Sequence, residues 1–139
     1  MGYKVNYIVK KDEGVVVCIL NDTKYYFSDY IMARLLRQNY RDIVPSLHNE
    51  YFLKNSYSGV ARCAPGDEWN EELGRKIAFN KAKIKLNTAF FKRAQLYVDN
   101  VDREFNSILD AINGYGDRVE ADAQKREEEI EQLLHNSEE

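Results

Sequence analysis

The pattern of hydrophobic positions along this chain changes completely beyond residue 67. Residues 3–9, YKVNYIV, alternate imperfectly between apolar and polar and predict a strand. A polar turn from Lys10 to Gly14 follows, then Val15, Val16, Val17, Cys18, Ile19 and Leu20, a largely β-branched run that predicts a central strand. Asn21-Asp22-Thr23 is turn chemistry, so Lys24–Phe27 is expected to return as a strand and close a hairpin. Ser28 is a favoured N-cap residue, and beyond it Ile31, Leu35 and Leu36 share one helical face, predicting a helix that ends near Tyr40. Residues 41–56, with Pro45 among them, carry no clear period. Tyr57–Ala64 predicts another strand, ended by Pro65-Gly66-Asp67.

After Pro65 there is no proline, and helix formers dominate. Asp67 or Asn70 suits the helix N-cap, and Glu68, Glu71 and Glu72 suit the positive end of its dipole. Ile77, Ile84, Phe91, Val98, Phe105 and Ile112 recur every seven residues, with Asn80, Asn87, Ala94, Val101 and Ile108 three positions later. This is the a/d pattern of a coiled coil. Phe90 and Tyr97 widen the stripe on one side and Leu109 on the other. Gly114-Tyr115-Gly116 is expected to break the helix, leaving Arg118–Leu134 as a second, charged helix with a thin stripe of Val119, Ala123, Ile130 and Leu134. Unbroken, residues 71–112 would span roughly 60 Å at ~1.5 Å per residue, more than the small β part can cover. The seam therefore needs a partner helix, either another copy or the C-terminal helix folded back.

The fold class expected is α+β: an N-terminal antiparallel sheet with one short helix, then long C-terminal helices forming an oligomeric coiled-coil-like bundle. Residues 1–68 make the β-rich part and 69–139 the helical oligomerisation part of one compact unit.

Composition narrows the classes. A length of 139 residues fits one domain with a modest core, and ten Tyr with six Phe argue against disorder. Cys18 and Cys63 form no CxxC or CxxH spacing, and His48 and His135 are the two imidazoles. That argues against a zinc site or a disulfide scaffold and fits a reducing cytosol, so no metal or cofactor is expected. No window approaches 18 apolar residues, the N-terminus has no signal-peptide core, and Asn6 stands where a myristoylation motif would carry Ser or Thr. The expectation is a cytoplasmic protein that does not span a membrane.

The net charge of -3 conceals a polar distribution. Arg75 to Arg93 holds seven basic residues and no acids, whereas Glu104 to Glu139 holds eleven acids and three bases. The basic stretch runs into Phe90-Phe91. Cations beside an aromatic ring suit a ligand with phosphates and a base, and helices side by side would build a pocket between chains. The candidate ligand-binding residues are Arg62, Phe90, Phe91, Arg93, Asn100 and Arg118. Phe90 flanks the seam and is the better stacking residue; Phe91, at an a position, reads as core; Arg118 would be returned towards a ligand by the glycine break. The competing account is a solvated face beside two core phenylalanines. Asn80 and Asn87 at d positions either fix register or mark an open end of the seam. Glu127-Glu128-Glu129 with Glu131 is either a solvated helix face or part of a DNA-mimicking surface.

Nothing points to catalysis. The chain has no GxSxG, HExxH, P-loop or Gly-rich dinucleotide loop, no carboxylate pair stands in an apolar setting, and His48 has no evident Cys or Asp companion.

The stretch GVARCAPGDEWNEELGRKIAFNKA, Gly59 to Ala82, resembles a motif of small proteins from phages and prophages of Gram-positive bacteria, in which a strand ends in Ala-x-Cys-x-Pro-x-Asp before an aromatic, a Gly and an Ala-containing helix. The matching residues are Ala61, Cys63, Pro65, Asp67, Trp69, Gly74, Ala78 and Ala82; Trp69 departs from the usual Phe. Physically this is a strand-to-helix joint: Pro65 closes the strand, Asp67 caps the helix, Trp69 packs back on the sheet, and Gly74 allows close approach. An N-terminal sheet followed by long helices is also similar to the plan of the anti-Thoeris sponges, oligomers that hold a cyclic nucleotide immune signal between subunits. The resemblance covers about one sixth of the chain and reaches no pocket residue.

It implies a phage-encoded, non-enzymatic inhibitor of bacterial defence acting in the host cytoplasm, a homo-oligomer that sequesters a cyclic nucleotide or ADP-ribose-type signal. The alternative is an anti-CRISPR-type protein that blocks a host defence nuclease through its acidic helices. A nucleic-acid-binding accessory role comes third, because the acidic C-terminal half repels phosphate.

Overall fold

The computed structural model describes residues 2–37 and 47–138. The chain is α+β: a three-stranded antiparallel sheet of β1 (Lys4–Lys10), β2 (Val15–Asn21) and β3 (Ser56–Arg62), a helix α1 (Tyr26–Arg37), and a long C-terminal helix α2 (Glu71–Glu138). Residues Met1–Asn100 form one compact unit and Val101–Glu139 a second.

β2 is the central strand, as its β-branched run predicts, with β1 on one edge and β3 on the other. The β1–β2 connection is a single turn of 3₁₀ helix, Lys11–Glu13, closed by Gly14 at φ 64°, where its N–H donates to the Lys11 carbonyl at 3.0 Å. Pairing Tyr7 with Cys18 and Cys18 with Gly59 puts Tyr7, Val16, Cys18, Leu20, Tyr57, Gly59 and Ala61 on one face of the sheet. Those on β2 and β3 are buried. They meet α2 through Gly74, Ala78, Ala82 and Leu86, one residue per turn on a single helical side. Small residues on both sides set this spacing. A Cβ on Gly74 would lie 2.8 Å from Val16 Cγ2, so the close approach read from the sequence holds.

Several expectations are corrected. Lys24–Phe27 is no strand: α1 already begins at Tyr26. Both edges of β2 are occupied by β1 and β3, and Asp22 at φ 61° turns the chain off the sheet. Thr23 then binds the 53–55 segment, its N–H donating to Asn55 O at 3.3 Å and its hydroxyl to Lys54 O. Ser28 is therefore inside the helix and not its N-cap, and its buried hydroxyl has no hydrogen-bond partner among the described residues. The helix N-cap of α2 is Asn70, whose Oδ1 accepts from Leu73 N–H at 3.0 Å. Asp67 instead closes a turn, its N–H donating to Ala64 O at 3.0 Å with Gly66 at φ 89°; Pro65 and Gly66 at the two central positions are type II turn chemistry.

The Gly114-Tyr115-Gly116 break is also overturned, because α2 runs through it. Each helix-interior glycine costs about 1 kcal/mol relative to Ala, and the helix formers on both flanks outweigh two such terms. The predicted end of α1 near Tyr40 and the placement of Pro45 lie outside the described residues.

Candidate anion-binding site

Within the first unit, α2 presents two chemically different sides. At ~100° per residue, Ile84 and Leu86 are about 200° apart around the helix. Leu86 is fully buried against the sheet, and Ile84 is 63% exposed. The a positions therefore face away from the sheet: Phe91 is 69% exposed and Val98 59%. In the second unit Phe105, Ile112, Tyr115 and Val119 are likewise exposed. Among the described residues the a positions of the heptad pattern are exposed in both units, while Ala94 and Val101 are half-buried.

Phe90 and Phe91 consequently exchange the roles read from periodicity. Phe90 is the packed one, its ring centroid 5.0 Å from Phe27, 5.4 Å from Tyr30 and 5.8 Å from Tyr26 in edge-to-face contacts. Its ring is engaged on three sides. Phe91 is the free aromatic surface. The cluster continues through Tyr51 and Tyr97, centroids 5.1 Å apart, and Asn100 Nδ2 donates to the Tyr51 hydroxyl. Asn100 thus fastens the 49–51 turn to α2.

Arg93 Nε donates to Phe52 O at 3.2 Å, tying α2 to the same segment. Its side chain also lines an open groove of about 380 Å³ with Lys54, Tyr57, Ile84, Lys85, Thr88, Ala89 and Lys92. Four cations converge there, and no carboxylate among the described residues lines it. Lys85, Ala89 and Lys92 share one side of α2 by their i, i+4, i+7 spacing, and Lys54 reaches in from the chain before β3, its Nζ 5.1 Å from the Tyr57 ring centre. By contrast Arg75 and Lys76, at the start of α2, are held by Glu71 and Glu72 at 3.1 and 3.4 Å.

Arg62 lies elsewhere, at the end of β3. It borders a second cavity of about 200 Å³ at the strand-to-helix joint, with Cys63, Trp69, Asn70 and Gly74 among its walls. Trp69 lines the same cavity as Val16 and Ala61. Arg118 belongs to the second unit, its guanidinium 4.6 Å from the centre of the Tyr115 ring one turn earlier. With no break at Gly114–Gly116, no loop returns it to a ligand. Of the six residues singled out, only Arg93 lines the groove. Lys54 and Tyr57 were missed because nothing in the sequence relates them to α2. Lys85 and Lys92 were legible as members of the acid-free stretch.

No family model, curated protein or solved structure matches this chain. Its chemistry is read from the groove and the seam alone.

Among the described residues no group of three or more His, Cys, Asp or Glu could hold a metal ion. No helix of the described residues is long and apolar enough to cross a membrane. Burial pushes the Cys18 thiol above its ordinary pKa against an opposing hydrogen bond from Tyr7, so at neutral pH it is a protonated core group.

Proposed function

We propose that this chain is a non-enzymatic binding protein for a phosphorylated, nucleotide-type ligand, completed by a second copy of itself. The acid-free convergence of Lys54, Lys85, Lys92 and Arg93 carries this reading. Ammonium and guanidinium groups match the charge and acceptor oxygens of a pyrophosphate, and Arg93 adds a planar fork. Magnitudes require the second copy. Solvent-exposed ion pairs contribute roughly 0.2–1 kcal/mol each, so four give about 4 kcal/mol at most. That corresponds to millimolar affinity, about half of the ~8 kcal/mol a micromolar complex needs. A wall that excludes water is the missing part, and Ile84 belongs both to the groove and to the uncovered seam.

The resemblance to small phage proteins gives this chemistry a role: sequestering a cyclic nucleotide or ADP-ribose-type immune signal in the host bacterial cytoplasm. Calorimetry with ADP-ribose and a panel of cyclic dinucleotides tests it. Binding that is lost in a Lys85→Glu, Lys92→Glu variant supports the reading, and no heat from the wild type with any of them overturns it.

A second reading rests on the exposed acidic stretch of the second unit, which includes Glu127, Glu128, Glu129 and Glu131. Such a surface would compete for the cationic channel of a defence nuclease, the anti-CRISPR-type alternative. Co-purification of a nuclease with the wild type, lost on replacing these four glutamates by Gln, favours it over the nucleotide reading.

A further inference from the structure

We propose that the cavity at the strand-to-helix joint is a binding site for a small organic amine, an ammonium group carried on an apolar body of about one ring. The site stands apart from the cationic groove, lies wholly within the first unit and needs no second copy.

The joint motif builds this cavity as well as the turn into α2. Ala61, Cys63, Asp67, Trp69 and Gly74 of the motif all line it. Its floor is apolar, with Val16 1% and Ala61 6% exposed. Half-buried Trp69, with Leu73 and Ile77 from the first turns of α2, continues the apolar lining. The volume of about 200 Å³ holds roughly seven waters at ~30 Å³ each, or one ring with a short arm. It falls below the ~300 Å³ at which sites for drug-sized ligands begin, so a nucleotide does not fit.

The polar lining selects a hydrogen-bond donor. Cys63 Sγ lies 3.7, 3.6 and 4.0 Å from the carbonyl oxygens of Ala64, Asp67 and Glu68. A thiol has one hydrogen and satisfies one acceptor at a time. Among the described residues the Asp67 and Glu68 carbonyls accept no backbone N–H. Lone pairs on this wall are therefore left for a ligand.

Charge has the same sense. Asp67 and Glu68 line the cavity against a single base, Arg62. No cation among the described residues pairs with either carboxylate. The positive end of the α2 dipole lies close by, but Glu71 and Glu72 in the first turn and the Asn70 cap already answer it. An ammonium brings three donors and no acceptor, and indole is the ring that attracts a cation best. A carboxylate of the same shape would meet acceptors it cannot use and two like charges.

The protein carries its own reporters. Trp69 is the one tryptophan of the chain. Cys18 is fully buried, so Cys63 is the thiol that a reagent reaches in the folded protein. Three probes of one shape separate the ligand classes: 2-phenylethylamine, 2-phenylethanol and 3-phenylpropanoate. The amine should change Trp69 fluorescence saturably, slow the reaction of Cys63 with N-ethylmaleimide, and bind about tenfold tighter than the alcohol. The carboxylate should bind more weakly than either. An Asp67→Asn, Glu68→Gln variant, its fold checked by circular dichroism, should lose about tenfold in amine affinity and keep that for the alcohol. Equal affinity for amine and alcohol, tighter binding of the carboxylate, no response of Trp69 and Cys63 to the amine, or unchanged amine affinity in the double variant overturns the proposal.

Discussion

Gly59 of β3 lies against Ala82 of α2 with no room for a side chain between them: a Cβ on Gly59 would stand 2.5 Å from the Ala82 amide nitrogen and 2.8 Å from Lys81 Cβ, and would overlap the Ala78 carbonyl. The obstruction is mostly helix backbone, which cannot give way without lifting α2 off β3. Gly59→Ala should therefore destabilise the protein by about 3 kcal/mol or more, although alanine suits a strand better than glycine. Gly74→Ala meets only a Val16 methyl at 2.8 Å, which can shift, and should cost about 1–2 kcal/mol. Urea unfolding followed by circular dichroism checks both; a neutral Gly59→Ala would refute the packing described for α2.

Stability should fall on the alkaline side. Burial of the Lys83 ammonium alone would lower its pKa, but the Tyr3 and Tyr26 side chains beside it outweigh that, and the net shift is upward from 10.5. Its Nζ lies 3.5 Å from the Tyr26 hydroxyl and 4.7 Å from the Tyr3 ring centre. A raised lysine pKa contributes stability that is complete below about pH 10 and lost as pH rises through the folded value. Cys18, raised from 9.0 by burial, and Tyr7, raised from 10.0 by burial and by Cys18, act with the same sign, because each ionises earlier in the unfolded chain. The urea midpoint should hold between about pH 7 and pH 8.5, decline above about pH 9 and decline further above about pH 10. Lys83→Met should remove part of the second decline and leave the first. A midpoint that rises between pH 9 and pH 11 contradicts all three shifts.

What the sequence disclosed followed local rules, and what it hid depended on contacts between distant segments. The central position of β2 was legible because a run such as Val15–Leu20 is soluble only when covered on both edges and at least one face. Gly74 was legible as a close approach through the joint motif. Lys24–Phe27 misled because Tyr25, Tyr26 and Phe27 carry strand propensity, while their rings are used against α2 and Phe52; Tyr25 and Phe52 have centroids 4.9 Å apart. The Phe90–Phe91 exchange arose for a related reason. A heptad count places both residues on α2 but does not say which side meets the sheet. The small residues Gly74, Ala78 and Ala82, four apart, mark that side, and they were the signal that could have assigned Phe90 to the core. The groove itself needed Lys54 to meet Lys85 across 31 residues of chain, a relation that no local pattern contains.

The continuity of α2 through Gly114 and Gly116 gives the sharpest contrast between sequence expectation and structure. A break would use one of these glycines at positive φ, where alanine is strained, and replacing both would then destabilise the protein. Among the described residues positive φ occurs at Gly14, Gly66 and Asp22, and a Cβ on Gly114 or Gly116 would meet nothing within 4 Å. In a continuous helix each Gly→Ala change instead removes backbone entropy from the unfolded chain and should stabilise by about 0.4–1 kcal/mol. The double variant Gly114→Ala, Gly116→Ala should therefore raise the thermal midpoint of the helical signal at 222 nm and slow amide hydrogen exchange around Tyr115. Faster exchange there, or a lowered midpoint, would mean that the chain turns at these glycines, and the seam would then stop short of Tyr115.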